Sequence, residues 1–239
     1  MKSKNSKLIV ALDINNKEEL MQFLTLVGDL IETVKIGPIL FTKEGPEIVK
    51  YIKSKNYKVF LDLKFHDIPK TVGGAVSSAT EIGIDMLTIH TLGGFNSMEA
   101  GIAAATYTAS ELKKPKPLVF GVTILTSYDE AHIKDIFGGD KTLSEHVVLL
   151  SRLAKSSGLD GVICSPLEIE IVKKNCGDDF LVVVPGIRLP DENIDDQRRV
   201  TTPKEAIEKG ADFIVVGRSI TASYDPVGKI EKIKDMIGE

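Results

Sequence analysis

The stretch Asp62-Leu63-Lys64-Phe65-His66-Asp67-Ile68-Pro69 is the densest cluster of ionisable residues in the chain. If Asp62 and Lys64 lie on one strand, the period of two puts both side chains on the same face. Two charges on a buried face are costly to desolvate unless each is paired, and an alternating acid–base array provides that pairing. Lys35, at the end of the apolar run Thr33-Val34-Lys35-Ile36, supplies a further cation for Asp62. The chemistry open to such an array is to hold an ammonium charged beside a reacting centre; the same residues would also serve as a structural ion pair at a sheet rim.

A second cluster suits anions. In Phe213-Ile214-Val215-Val216-Gly217-Arg218-Ser219-Ile220 a glycine follows an apolar run. Glycine lets backbone N–H groups approach an anion, and Arg218 adds bidentate recognition. A third is Pro185-Gly186-Ile187-Arg188, followed by a polar stretch through Arg199. That connection is long, and long ordered loops in compact domains are often lids. Arg188 and Gln197 are placed to reach a ligand from it, although a surface loop without a role has the same composition.

Short apolar runs alternate with helical patterns and would position these groups. The runs are Leu8 to Leu12, Thr33 to Ile36, Tyr57 to Leu63, Asp85 to His90, Leu118 to Leu125, Gly161 to Cys164, Phe180 to Val184 and Asp212 to Val216. Between the first two, Leu20, Leu24, Val27 and Ile31 form a helical stripe; Ile48, Val49 and Ile52 mark the next helix. Thr142 to Glu145 and Thr202-Pro203-Lys204-Glu205 have capping-box spacing, and Gly158 and Gly210 end helical runs. Eight runs each followed by a helix predict an α/β fold of the (β/α)₈ TIM-barrel type, with an open doubly wound sheet as the competitor. No linker or repeat marks a second domain, so one barrel over residues 1–239 is expected. Catalytic groups of such a barrel project from the carboxyl ends of its strands, where Asp13, Lys35, Asp62, Lys64, His90, Thr126, Ser127, Arg188 and Arg218 fall.

Composition narrows the function. A hydrophobic fraction of 43% and a charged fraction of 27% are those of a soluble globular chain. Net charge −4, no Trp and no basic stripe argue against a nucleic-acid or anionic-membrane partner. Cys164 and Cys176 have no metal-ligand spacing. The apolar run after the basic first residues is too short for a signal core or a membrane span, which predicts a cytoplasmic protein.

Together these segments resemble the orotidine 5′-monophosphate decarboxylase family over most of the chain. The resemblance is carried by Ala11-Leu12-Asp13, Val34-Lys35-Ile36-Gly37, Asp62 to Pro69, Thr88-Ile89-His90, Leu125-Thr126-Ser127, Pro185 to Arg188 and Val216 to Ile220. It implies a carboxy-lyase of pyrimidine nucleotide synthesis, acting on orotidine 5′-monophosphate without metal or organic cofactor. It implies a charged tetrad of Lys35, Asp62, Lys64 and Asp67, with Lys64 protonating C6 of the pyrimidine. Asp67 would act across a homodimer interface, in the partner's site. Asp13 and Lys35 would hold the ribose, Thr126 and Ser127 the pyrimidine edge, and Gly217, Arg218, Gln197 and Arg188 the phosphate. Ile68, Thr71 and Pro185 complete the implied substrate contacts. The Asp-x-Lys-x-x-Asp core is shared with sibling metal-dependent barrels such as 3-keto-gulonate-6-phosphate decarboxylase. There Lys35 stands where the sibling pattern resembles an acidic metal ligand. A non-catalytic nucleotide-binding barrel is the remaining alternative.

Overall fold

Eight parallel strands close on one another in sequence order, each hydrogen-bonded to the next and the last to the first. They are β1 (Leu8–Ala11), β2 (Thr33–Ile36), β3 (Lys58–Phe65), β4 (Met86–His90), β5 (Leu118–Val122), β6 (Gly161–Ile163), β7 (Leu181–Val184) and β8 (Phe213–Val216). The computed structural model describes residues 6–190 and 200–239. Helices α1 (Lys17–Val27), α2 (Pro38–Glu44), α3 (Glu47–Ser54), α4 (Pro69–Glu81) and α5 (Gly94–Glu111) follow the first four strands. After β5 come α6 (Glu130–Phe137) and α7 (Leu143–Ser156), then α8 (Ile169–Cys176), α9 (Pro203–Glu208), α10 (Arg218–Thr221) and α11 (Pro226–Ile237). The open-sheet competitor is thereby excluded.

Alternation along the strands divides the core in two. Ile9, Ala11, Phe60, Met86, Phe120, Val183 and Val215 pack together, with Phe120 edge-on to Phe60 at 5.9 Å and to Phe213 at 6.4 Å. These are the barrel interior. Residues one step away, such as Val10, Val34, Val59, Leu61, Val182 and Ile214, join the larger cluster with the helices. Phe60 faces inward, so Asp62 two residues on faces inward as well.

The sequence-based boundaries shift by more than one residue in three places. The stripe that included Ile31 ends earlier, because Gly28 turns the chain at φ +50° and Ile31 is buried in the connection before β2. β5 stops at Val122 rather than Leu125, and β3 runs on to Phe65. Both Thr142 and Thr202 close complete capping boxes with Glu145 and Glu205.

At the amino ends of the strands one device recurs three times. Asp85, Asp160 and Asp212 immediately precede or open β4, β6 and β8, each as the third residue of Gly-x-Asp. Each donates its N–H to the carbonyl of the preceding strand's Val59, Val119 or Val182, at 2.9, 3.0 and 2.9 Å. Its carboxylate accepts the N–H of that same valine at 2.7, 2.8 and 2.7 Å. A lysine completes each set: Lys53 on Asp85, Lys116 on Asp160 and Lys173 on Asp212.

Candidate active site

At the opposite end, β3 departs from regular pairing. Leu61 pairs with Leu87 and Phe65 with Ile89, so four steps on β3 match two on β4. Within the bulge Lys64 has φ +51°, a left-handed conformation that side-chain-bearing residues rarely adopt. Such strain costs on the order of 1–3 kcal/mol and clusters at functional sites. Thr88, fully buried on β4, spans the irregularity. Its Oγ1 accepts the Lys64 N–H at 2.9 Å and donates to Asp62 Oδ1 at 3.0 Å.

The bulge aims Lys64 at Asp62: its Nζ lies 3.0 Å from both carboxylate oxygens. Lys35 Nζ approaches Asp62 Oδ2 at 3.3 Å and Asp13 Oδ1 at 3.9 Å. Burial pushes the Asp62 carboxyl up, but the Lys35 and Lys64 ammoniums, with hydrogen bonds from Lys64 and Thr88, outweigh it and hold the group below the usual carboxylate value. Asp62 is therefore ionised and the two lysines face it as cations.

These groups open on a cavity of about 420 Å³ at the carboxyl ends of the strands. Such a volume lies within the range of small-molecule sites. Asp13, Lys35, Asp62, Lys64, Arg188 and Arg218 line it, four cations against two carboxylates. The excess of two positive charges suits a small anion. Gly217 lies at the end of β8 beside Asp13, where even a Cβ would be in ordinary contact with Asp13 Oδ2 at 3.4 Å and Ala11 Cβ at 3.5 Å. Gly186, at φ +80°, turns the chain after β7, and the Arg188 and Thr201 backbones are then clipped together at 3.0 Å. Arg188 is buried and donates to the Ile187 carbonyl at 3.0 Å.

Thr126 and Pro185 also line the cavity. Ser127 is exposed and does not. Asp67, Ile68 and Thr71 stand apart on an exposed rim at the start of α4. Asp67 accepts the Ile68 N–H at 2.7 Å there, and its backbone carbonyl accepts from Ser97 Oγ. Gln197 lies outside the described residues. Sequence reasoning gave no role to Thr88, whose only signal was a hydroxyl inside an apolar run. It also overlooked the apolar walls supplied by Phe60, Val122, Ile124 and Ile163 and the rim residue Ile39.

His90, at the end of β4, is stacked on His66 at 5.2 Å between centroids. Burial, with the charges of His66 and Lys64, pushes its imidazole down to about 4. It is neutral near pH 7, and its Nδ1 accepts the Leu92 N–H at 3.4 Å. Among the described residues no three His, Cys, Asp or Glu side chains gather as a metal-holding group.

A closed barrel with an acid–ammonium cluster and two arginines around one cavity is the layout of an enzyme for a small anionic substrate. The family model described as "Orotidine 5'-phosphate decarboxylase / HUMPS family" matches residues 6–233, and the chain belongs to that family. It is 45% identical over 230 residues to the orotidine 5′-phosphate decarboxylases of Bacillus cereus (strain AH187) and of Bacillus cytotoxicus, covering 96% of this chain and 96% of each relative. Among solved structures, orotidine 5′-phosphate decarboxylase from Lactobacillus acidophilus superposes with a TM-score of 0.86 at 38% identity, over 98% of this chain and 100% of that one. An uncharacterized conserved protein from Geobacillus kaustophilus gives 0.84 at 36%, over 96% and 99%.

Proposed function

We propose that the chain decarboxylates orotidine 5′-monophosphate to uridine 5′-monophosphate and carbon dioxide, with no metal or organic cofactor, as the last step of uridine monophosphate synthesis. The observation that carries this reading is the Lys64 ammonium, held at 3.0 Å by an ionised Asp62 inside a cation-rich cavity.

Breaking the bond from C6 to the carboxylate releases carbon dioxide and leaves the electron pair on C6, with no adjacent carbonyl to receive it. The pair must be stabilised electrostatically, and a preorganised ammonium does this without reorganising solvent. Lys64 Nζ then gives its proton to C6 and recovers one from solvent. Asp62 keeps Lys64 charged and sits beside the substrate carboxylate, while Lys35 and Asp13 hold the ribose hydroxyls. Thr126 and Pro185 meet the pyrimidine, and Gly217, Arg218, Arg188 and Gln197 take the phosphate. Binding energy from that remote end raises turnover where it is realised only in the transition state.

Asp67, Ile68 and Thr71 lie outside the cavity of their own chain, which supports a homodimer in which they complete the partner's site. The exposed apolar side chains Ile68, Leu92 and Phe95 support the same reading, on segments joined by the Ser97–Asp67 hydrogen bond. No helix among the described residues is long and apolar enough to cross a membrane, and we place the enzyme in the cytoplasm. The metal-dependent sibling reading is disfavoured because Lys35 stands between Asp13 and Asp62, occupying with an ammonium the space a cation would need.

The test is the fall in ultraviolet absorbance when the purified chain meets orotidine 5′-monophosphate, with and without EDTA. Fast conversion insensitive to chelator is expected. No conversion by folded protein overturns the reaction, and conversion abolished by EDTA overturns its cofactor independence.

A further inference from the structure

The amino end of the barrel holds a second cavity, of about 640 Å³, which the decarboxylation leaves unused. It lies between the end of α3, the start of β3 and the connections into β4 and β5. Lys50, Lys53, Lys58, Lys114 and Lys116 line it, and Asp85 is the one carboxylate in its wall. Five ammoniums in one concavity oppose the sign of a chain whose net charge is −4. Clefts lined by one sign of charge focus the field on ligands of the other.

Lys53 is taken up by Asp85 in the cavity wall, but the other four lysines meet no carboxylate from within the cavity. Glu47, Glu32 and Asp160 pair with Lys50, Lys58 and Lys116, but none of the three lines the cavity. They approach the ammoniums from outside it, and each ammonium has three donors. The Lys50–Glu47 pair is well exposed, the kind of surface pair that contributes little and yields to a stronger anion. Lys114 has no acidic partner among the described residues.

The rim is also fixed in advance. α5 ends in a Schellman motif, with Lys114 N–H on the Ala109 carbonyl and Lys113 N–H on that of Ser110, both at 3.0 Å. Lys113 takes the left-handed position, φ +53°, usually given to glycine. Pro115 and Pro117 then restrict the backbone on either side of Lys116. Across the cavity, Asn56 at φ +64° ends α3 in the same sense, and Lys53 is anchored on Asp85 at 2.6 and 2.8 Å. An anion entering here meets cations whose supporting backbone is already ordered, which lowers the cost of binding.

We propose that this lower cavity is a binding site for a small polyanion carrying linked phosphate groups, separate from the substrate site. Lysine rather than arginine suits a polyphosphate chain, which is met by several point charges instead of one planar fork. Linked phosphates, rather than a single one, can engage the ammoniums from the three segments at once.

Inorganic tripolyphosphate is the probe, titrated calorimetrically into the full chain at low salt. To remove the phosphate grip of the upper cavity, the titration is repeated on Arg218→Ala. Binding should persist there and should weaken at least about tenfold in Lys50→Ala/Lys114→Ala, the loss of about 1.4 kcal/mol. A control pair of exposed lysines, Lys134→Ala/Lys141→Ala, should leave it nearly unchanged; all the variants alter exposed or rim side chains, and thermal melting checks their fold. The proposal is overturned if the wild type does not bind. It is equally overturned if Arg218→Ala abolishes binding while the lower-cavity pair keeps it, or if both lysine pairs weaken it equally, which would mean diffuse attraction only.

Discussion

Both ends of the barrel join aspartate to lysine, with opposite consequences. At the amino end, Asp85, Asp160 and Asp212 each receive one ammonium and a backbone N–H from the neighbouring strand. Every such carboxylate is tied into the strand ladder, and the pair acts as a clasp. At the carboxyl end Asp62 receives two ammoniums and a hydroxyl and, among the described residues, no backbone N–H. The strand that carries it is bulged, and the cluster faces a cavity with surplus positive charge. Identical residue types therefore serve stability where the backbone completes the shell and reactivity where a ligand must complete it.

The largest effect expected, short of removing the lysine itself, is at Arg218. Arg218→Ala should lower kcat/KM for orotidine 5′-monophosphate by about 10²–10³, as for other preorganised charges, and far less for the bare nucleoside. Equal losses with both substrates would remove its phosphate role. The clasp end should answer in the other currency. Asp212→Asn leaves Lys173 and the Val182 N–H poorly matched and should lower unfolding free energy by about 1–3 kcal/mol in denaturant melts. Turnover should stay near wild type; a large fall in kcat would blur the division between the ends.

Thr88→Val tests the hinge between stability and reactivity. It deletes the acceptor of the Lys64 N–H and a donor to Asp62, and should reduce kcat about tenfold, close to one hydrogen bond's worth of 1.4 kcal/mol. No change in kcat would show that the bulge holds Lys64 unaided. The smallest effect concerns His90. Its folded-state value of about 4 lies below the ordinary 6.5, so the unfolded chain binds the proton first as pH falls. Stability should therefore drop between pH 6.5 and about 4, and His90→Asn should flatten that slope in melts across this window. An unchanged slope would place the neutral imidazole responsible elsewhere.

What the sequence made legible follows from where its signals are local. Asp62 two residues after the inward-facing Phe60, and charged residues closing successive apolar runs, express the strand period directly. The capping boxes at Thr142 and Thr202 are equally local. The bulge is not, because nothing in Leu63 or Phe65 announces that Lys64 will adopt φ +51°. Thr88 takes its place only through pairing across strands, beyond any periodicity. Asp67, Ile68 and Thr71 follow the core motif closely in sequence, yet helix α4 begins there and carries them away from the cavity. Each Gly-x-Asp clasp taken alone reads as a turn before a strand, and its role emerges only from pairing with the neighbouring strand.

The most direct test is turnover of orotidine 5′-monophosphate by wild type and Lys64→Ala, measured side by side on proteins shown by melting to be folded. A loss beyond about 10³ is expected, because the variant removes both the preorganised charge and the proton delivered to C6. Near-native turnover by folded Lys64→Ala would contradict the central role given to this ammonium.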